Sequence, residues 1–342
     1  MAIGLLTCHG SLLQITLVLL FTTALHELGH TAVGLALGMK LRAFIVGPFH
    51  WRIRRGRWTF KFLVGKVLLG GGAAGLVPTR THQSRWHEIG MIAGGPLASL
   101  LTGLTFGALA LTAPGHSYQG AWRLFALIST IGLLDFVVNL IPLRPEGLYS
   151  DGARICQLLK GGAWADLHRA ISVVASTAVT PLRPRDYDMD AILRAQQSFT
   201  TGRHVVLLRL FASSYYLDRG DTRSAAAAME DAEAAYRASP FDLPAGLHAT
   251  FVFGHAYLRR DAVAARDRWE RMETKKPDHL GVEYWLAKTT LLSIENRPEE
   301  AQEAWAAGEA IARDLPATGD DDFDRSRFAM VGQALNRALV AQ

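Results

Sequence analysis

Acid is scarce in the first half of this chain. Of the 31 Asp and Glu in its 342 residues, only 6 fall before residue 186, against 17 Lys and Arg; the rest of the chain holds 25 acids against 19 bases. The two parts therefore carry opposite net charge. Cysteine is scarcer still, with Cys8 and Cys156 alone and far apart. That excludes a disulfide framework and a cysteine-built metal centre, and both thiols read as packing residues. A basic excess often points to nucleic acid. Here it borders long apolar runs, so a lipid bilayer with anionic headgroups is the expected counterpart and no nucleic acid is expected.

Charge is absent altogether between Ser11 and Leu25, and apolar character resumes beyond His30. A membrane-spanning helix needs about 20 apolar residues. Three stretches qualify: 11–38, 89–112 and 121–143. The loop 39–85 between the first two has no acid and many bases, among them Arg52, Arg54, Arg57 and Lys61, whereas 113–120 has neither Lys nor Arg. The positive-inside rule then places the long loop and everything after Leu143 in the cytoplasm, with the N-terminus outside. A multi-pass protein of the cell membrane, such as a bacterial inner membrane, is expected. A cleaved signal peptide is not, because the N-terminal residues lack Lys and Arg before the apolar run. Within the loop, Trp51–Arg54 and Trp58–Lys61 alternate apolar and polar residues around a Gly-containing turn, which predicts a β-hairpin at the membrane surface. The Gly cluster at 70–75 with Lys66 favours a further strand or re-entrant element over a fourth span.

Inside the first apolar run stands His26-Glu27-Leu28-Gly29-His30. On a helix, residues four apart share a face, with about 5–6 Å between Cβ atoms, so both imidazoles can reach one metal ion with Glu27 beside them as a general base. Ionisable groups at that depth cost roughly 2.5–3.5 kcal/mol each and mark a functional site by default. A catalytic zinc takes three protein ligands and keeps one open position. Asp135, in the third apolar run, and Asp151, beyond it, are the candidates for the third. Gly34 and Gly38 on the first helix, and Gly90 and Gly94 on the second, suit close helix packing. His50, His82, His87 and His116 lack partner spacing and read as interfacial or surface groups.

Beyond a Pro-rich linker at 178–187, three helical hairpins align. Their breaks are Asp218–Asp221, Arg259–Asp261 and Glu295–Arg297, with Ala225, Ala265 and Ala301 in corresponding places at pitches of 40 and 36 residues. Pro240, Pro277 and Pro316 close them. This resembles degenerate tetratricopeptide repeats. The fold class expected is mainly α: a polytopic membrane core of about three transmembrane helices with a small surface β element, then an all-α helical-repeat cytoplasmic domain. The boundaries are 1–160 for the core, 161–187 for a connecting helix and linker, and 188–342 for the repeat domain.

The segment Asn139-Leu140-Ile141-Pro142 leading to Asp151-Gly152, together with HExxH and Ala93-Gly94-Gly95-Pro96, resembles the site-2 protease family of intramembrane zinc metalloproteases. The resemblance covers roughly residues 11–160. It implies zinc held by His26, His30 and Asp151, Glu27 as the base, and Asn139 facing the substrate backbone or the developing oxyanion. Ser99 stands where the family often has Asn, and Asp135 is left to hydrogen bonding within the helix bundle. The activity implied is peptide hydrolysis in membrane-tethered protein substrates, in regulated intramembrane proteolysis. The C-terminal domain would engage a protein partner. The rival reading is an inactive relative that acts as a membrane scaffold through its helical repeats.

Overall fold

The computed structural model describes residues 12–54, 56–63, 71–112, 119–143, 149–273 and 281–340. The chain forms two compact units, Met1–Ala165 and Asp166–Gln342. Cys8, Arg55, His116 and Pro277 lie outside the described residues, as does all of 64–70 with Lys66.

Three helices of the first unit are long and apolar enough to cross a membrane: α1 (Leu12–Ala36), α2 (Arg85–Thr112) and α3 (Gln119–Leu140). Their polarity is inverted relative to a water-soluble bundle. Leu13, Leu17, Leu28, Leu101 and Leu111 face outward, whereas Thr22, His26, Glu27, His30 and Ser99 are buried. Leucine outside and ionisable groups inside is the arrangement a hydrocarbon solvent favours. Helix α1 stops two residues short of its expected end. Gly38 adopts φ +76, and the amides of Gly38 and Met39 turn back to the carbonyls of Leu35 and Gly34. Gly38 is thus a helix terminator, not a packing residue.

The chain then builds a four-stranded antiparallel sheet from β1 (Lys40–Val46), β2 (Phe49–Arg54), β3 (Arg57–Phe62) and β4 (Gly72–Val77), in the order β3-β2-β1-β4. The expected hairpin is β2–β3, with Gly56 in its turn at φ +66. Period-two alternation puts Trp51, Phe60 and Phe62 on one exposed aromatic surface, with Trp51 and Phe60 rings 5.2 Å apart. Aromatic residues of this kind suit the water–lipid interface. His50, expected at the surface, is buried instead and bonds the Gly47 carbonyl, because the tight turn between β1 and β2 folds over it. After α3 comes α4 (Asp151–Lys160), which carries Cys156 exposed and not packed.

The second unit is helical, with α5 (Ala163–Ser176) leading into it and α6 (Met189–Ser198) opening the series that follows. Residues 178–187 are packed into this unit and do not form an open linker. Val179, Thr180 and Tyr187 are buried, the Thr180 carbonyl accepts from Gly319 N–H, and Arg183 pairs with Asp218. Next come α7 (Arg203–Asp218) with α8 (Thr222–Ala238), α9 (Ala245–Phe253) with α10 (Ala262–Glu273), and α11 (Val282–Ile294) with α12 (Pro298–Arg313), closed by α13 (Gly319–Val340). Each pair turns at the expected break. A left-handed residue sits at the same place in all three: Gly220 at φ 79, Arg260 at φ 56 and Asn296 at φ 63. Ala225, Ala265 and Ala301 are fully buried, since only a methyl group fits where each second helix meets its partner.

Candidate metal centre

His26 and His30 lie one turn apart on α1 and are 6 % and 7 % exposed. Their Nε2 atoms approach to 3.1 Å. Asp151 Oδ2 sits 3.1 Å from the first and 3.3 Å from the second. These three residues form a group able to hold a metal ion. The edges can be tested against the chemistry. Tetrahedral zinc with ligand bonds of about 2.0–2.1 Å separates its ligand atoms by about 3.3 Å. The donor set fits. Space is kept for it as well: a Cβ on Gly95 of α2 would run into His30 Nε2 and lie 2.6 Å from His26 Nε2.

Several local features deliver these groups. The α1–α2 contact is backbone on backbone, since a Cβ on Gly94 would stand 2.6 Å from the Gly29 carbonyl oxygen. Gly94 is therefore the packing glycine that its sequence spacing suggested, and Gly29, inside HExxH, is its partner. Asp151 is the first residue of α4, where the helix dipole favours a carboxylate. Ser150 caps that helix by accepting from Ala153 N–H, and its hydroxyl donates to the Ile141 carbonyl. This ties the start of α4 to the chain leaving α3. Gly152 is required there, because a Cβ would strike the Leu140 carbonyl. Burial works against ionisation of Asp151, but hydrogen bonds and charge from His26 and His30 outweigh it and hold the carboxyl at about 2.

The outer nitrogens of the two imidazoles meet different groups. His30 Nδ1 is 2.9 Å from the Met91 carbonyl oxygen and 3.2 Å from the Gly95 amide nitrogen. His26 Nδ1 is 2.9 Å from Ser99 Oγ and 3.0 Å from Asp135 Oδ2. Asp135 thus stands on the far side of His26 from Asp151 and does not join the Nε2 cluster. Asn139 donates from Nδ2 to Asp135 Oδ1 at 2.8 Å and to the Asp135 carbonyl at 3.0 Å. It is held at Asp135, outside the cluster of ligand atoms. Glu27 is 5 % exposed, lies against Gly72 at the start of β4, and its Oε2 has no hydrogen-bond partner among the described residues. The His26–Ser99–Asp135 contact has no local sequence signal; Ser99 and Asp135 come from separate helices. A residue-by-residue reading could find them only as polar groups in apolar runs.

Two buried imidazoles and a carboxylate thus converge into a group that could hold a metal ion, in a unit with three helices long and apolar enough to cross a membrane. Residues 14–181 match the model of peptidase family M50, the site-2 protease family. That match supports a membrane metalloprotease kind of function. Comparison with the curated proteins and with the solved structures gave no match.

Proposed function

We propose that this protein is an intramembrane zinc metalloprotease that hydrolyses peptide bonds in or near transmembrane segments of membrane-tethered proteins, in regulated intramembrane proteolysis. The observation that carries the reading is the convergence of His26, His30 and Asp151 beside a buried Glu27. His26, His30 and Asp151 are the ligands. When bound, zinc supplies Lewis acidity, which polarises the scissile carbonyl and lets a water lose its proton near neutral pH. Glu27 takes that proton and passes it to the leaving amine. Its unpartnered Oε2 leaves an acceptor free for this task. The surrounding apolar helices exclude bulk water, which strengthens each electrostatic contact.

A transmembrane helix has its carbonyls hydrogen-bonded, so the substrate must unwind before cleavage. Strand addition to an exposed sheet edge supplies replacement backbone partners. The sheet ends at β3 and β4, and β4 is the edge beside Glu27. We assign substrate docking to β4, in preference to the β2–β3 hairpin. Asn139 serves the site through Asp135. The basic loop around the sheet supports a cytoplasmic side for it and for all that follows α3, with the N-terminus outside. The helical pairs of the second unit support a tetratricopeptide-like module that holds a protein partner.

The deciding experiment measures zinc content and cleavage of a model transmembrane substrate in reconstituted wild-type protein and Glu27→Gln. Zinc in both and cleavage only in wild type is the expected result. Cleavage by Glu27→Gln would overturn the mechanism.

A further inference from the structure

We propose that Asp135 is a positioning residue for the metal centre: its carboxylate accepts the Nδ1–H of His26 and fixes that imidazole with Nε2 toward Asp151. The inference rests on the zinc-site reading above. A histidine that offers Nε2 to a metal carries its proton on Nδ1, and that proton needs an acceptor if the ring is to hold one orientation. His30 Nδ1 meets main chain alone, the Met91 carbonyl at 2.9 Å and the Gly95 amide at 3.2 Å, both neutral groups in the backbone of α2. His26 Nδ1 has no backbone acceptor among the described residues; it lies 3.0 Å from Asp135 Oδ2 and 2.9 Å from the Ser99 hydroxyl, which itself donates to that carboxylate. The two ligand histidines are therefore not equivalent. One is set by main chain, the other by a carboxylate from α3.

The carboxylate is itself held. Ser99 on α2 donates its hydroxyl to Asp135 Oδ2 at 2.5 Å, and Asn139, one turn on along α3, donates to Oδ1 at 2.8 Å. With His26, three donors from three helices meet on one side chain. Bundle cohesion alone would be served by Ser99, since Asn139 shares α3 with Asp135; the donor from α1 is a proposed metal ligand. The site also gains its only side-chain link, among the described contacts, to α3. Outer carboxylates of this kind change metal affinity by about 10–100-fold when removed.

The test uses full-length protein in detergent, with zinc affinity read by competition against a chromogenic chelator. Asp135→Asn keeps the shape and removes the charge; Asp135→Glu keeps the charge. Asp135→Asn is expected to bind zinc about 10–100-fold more weakly, with partial recovery in Asp135→Glu. In cobalt-loaded protein the visible absorption of Asp135→Asn should shift, because His26 loses its fixed ring position. Melting of the metal-free protein is the control for cohesion. If Asp135→Asn lowers that melting temperature while zinc affinity and the cobalt spectrum stay at wild-type values, the proposal is overturned and Asp135 only joins helices. Wild-type protein that binds no zinc would sink the underlying reading as well. Zinc bound by wild type, lost in His26→Ala and unchanged in Asp135→Asn would sink this proposal alone.

Discussion

Glu27 Oε2 is buried with no hydrogen-bond partner among the described residues, and an ionised carboxylate is costly to bury. Glu27→Gln, which removes that charge, should leave zinc content intact and raise the melting temperature of the metal-free protein slightly while abolishing turnover. Differential scanning calorimetry beside a cleavage assay checks both. Asp151→Ala should lose zinc and activity together, since it removes one of the three converging ligand atoms; metal analysis of purified protein reads this directly. Among these residues, His26, Glu27 and His30 were legible because a single helical turn sets their spacing. Asp151 became legible only through the resemblance, since residue types alone left Asp135 as an equal candidate. What separates the two is which face of the His26 ring each one meets. That depends on how α3 and α4 pack, a relation the local pattern does not hold.

At the scale of elements, close approach decides more than propensity. Gly95→Ala puts a methyl group where the two Nε2 atoms face each other, so it should abolish zinc binding while leaving α2 helical. Circular dichroism with metal analysis would separate these effects. In the second unit the three turns share one left-handed position, filled by Gly220, Arg260 and Asn296. A β-carbon in that conformation costs about 1–2 kcal/mol. Gly220→Ala should therefore lower stability by about 1 kcal/mol, whereas Asn296→Gly should not lower it, as urea titration would show. The alignment at pitches of 40 and 36 residues located all three turns because Ala and turn residues recur in phase. The hairpin was legible for a similar reason, period-two alternation around Gly56. The pairing of β4 with β1 was not, since a Gly-Ala run has no alternation to read and its partner lies some thirty residues upstream.

Taken whole, the molecule joins a unit built for lipid to one built for water, and each has its own buried charge. In the second unit Glu233 lies between His255 Nε2 at 2.8 Å and the Arg268 guanidinium at 2.5 Å. Burial opposes its ionisation, but His255 and Arg268 hold the carboxyl down at about 2. A depressed carboxyl contributes stability above its unfolded value and loses it as pH falls toward the folded one. On the order of 3 kcal/mol should vanish between about pH 4.5 and pH 2. Glu233→Gln should melt below wild type at pH 7, and the gap should close across that window. A chain ending at Ala165 should keep its zinc, because every proposed ligand precedes that point; altered choice among tethered substrates would support a recognition role for the second unit. The backbone seam of Gly29 against Gly94 has a mechanical corollary. Two helices locked main chain to main chain travel as one wall, so a guest cannot slip between them and has to reach Glu27 from another side. A disulfide joining Leu37→Cys to Gly90→Cys across the wall should leave turnover unchanged.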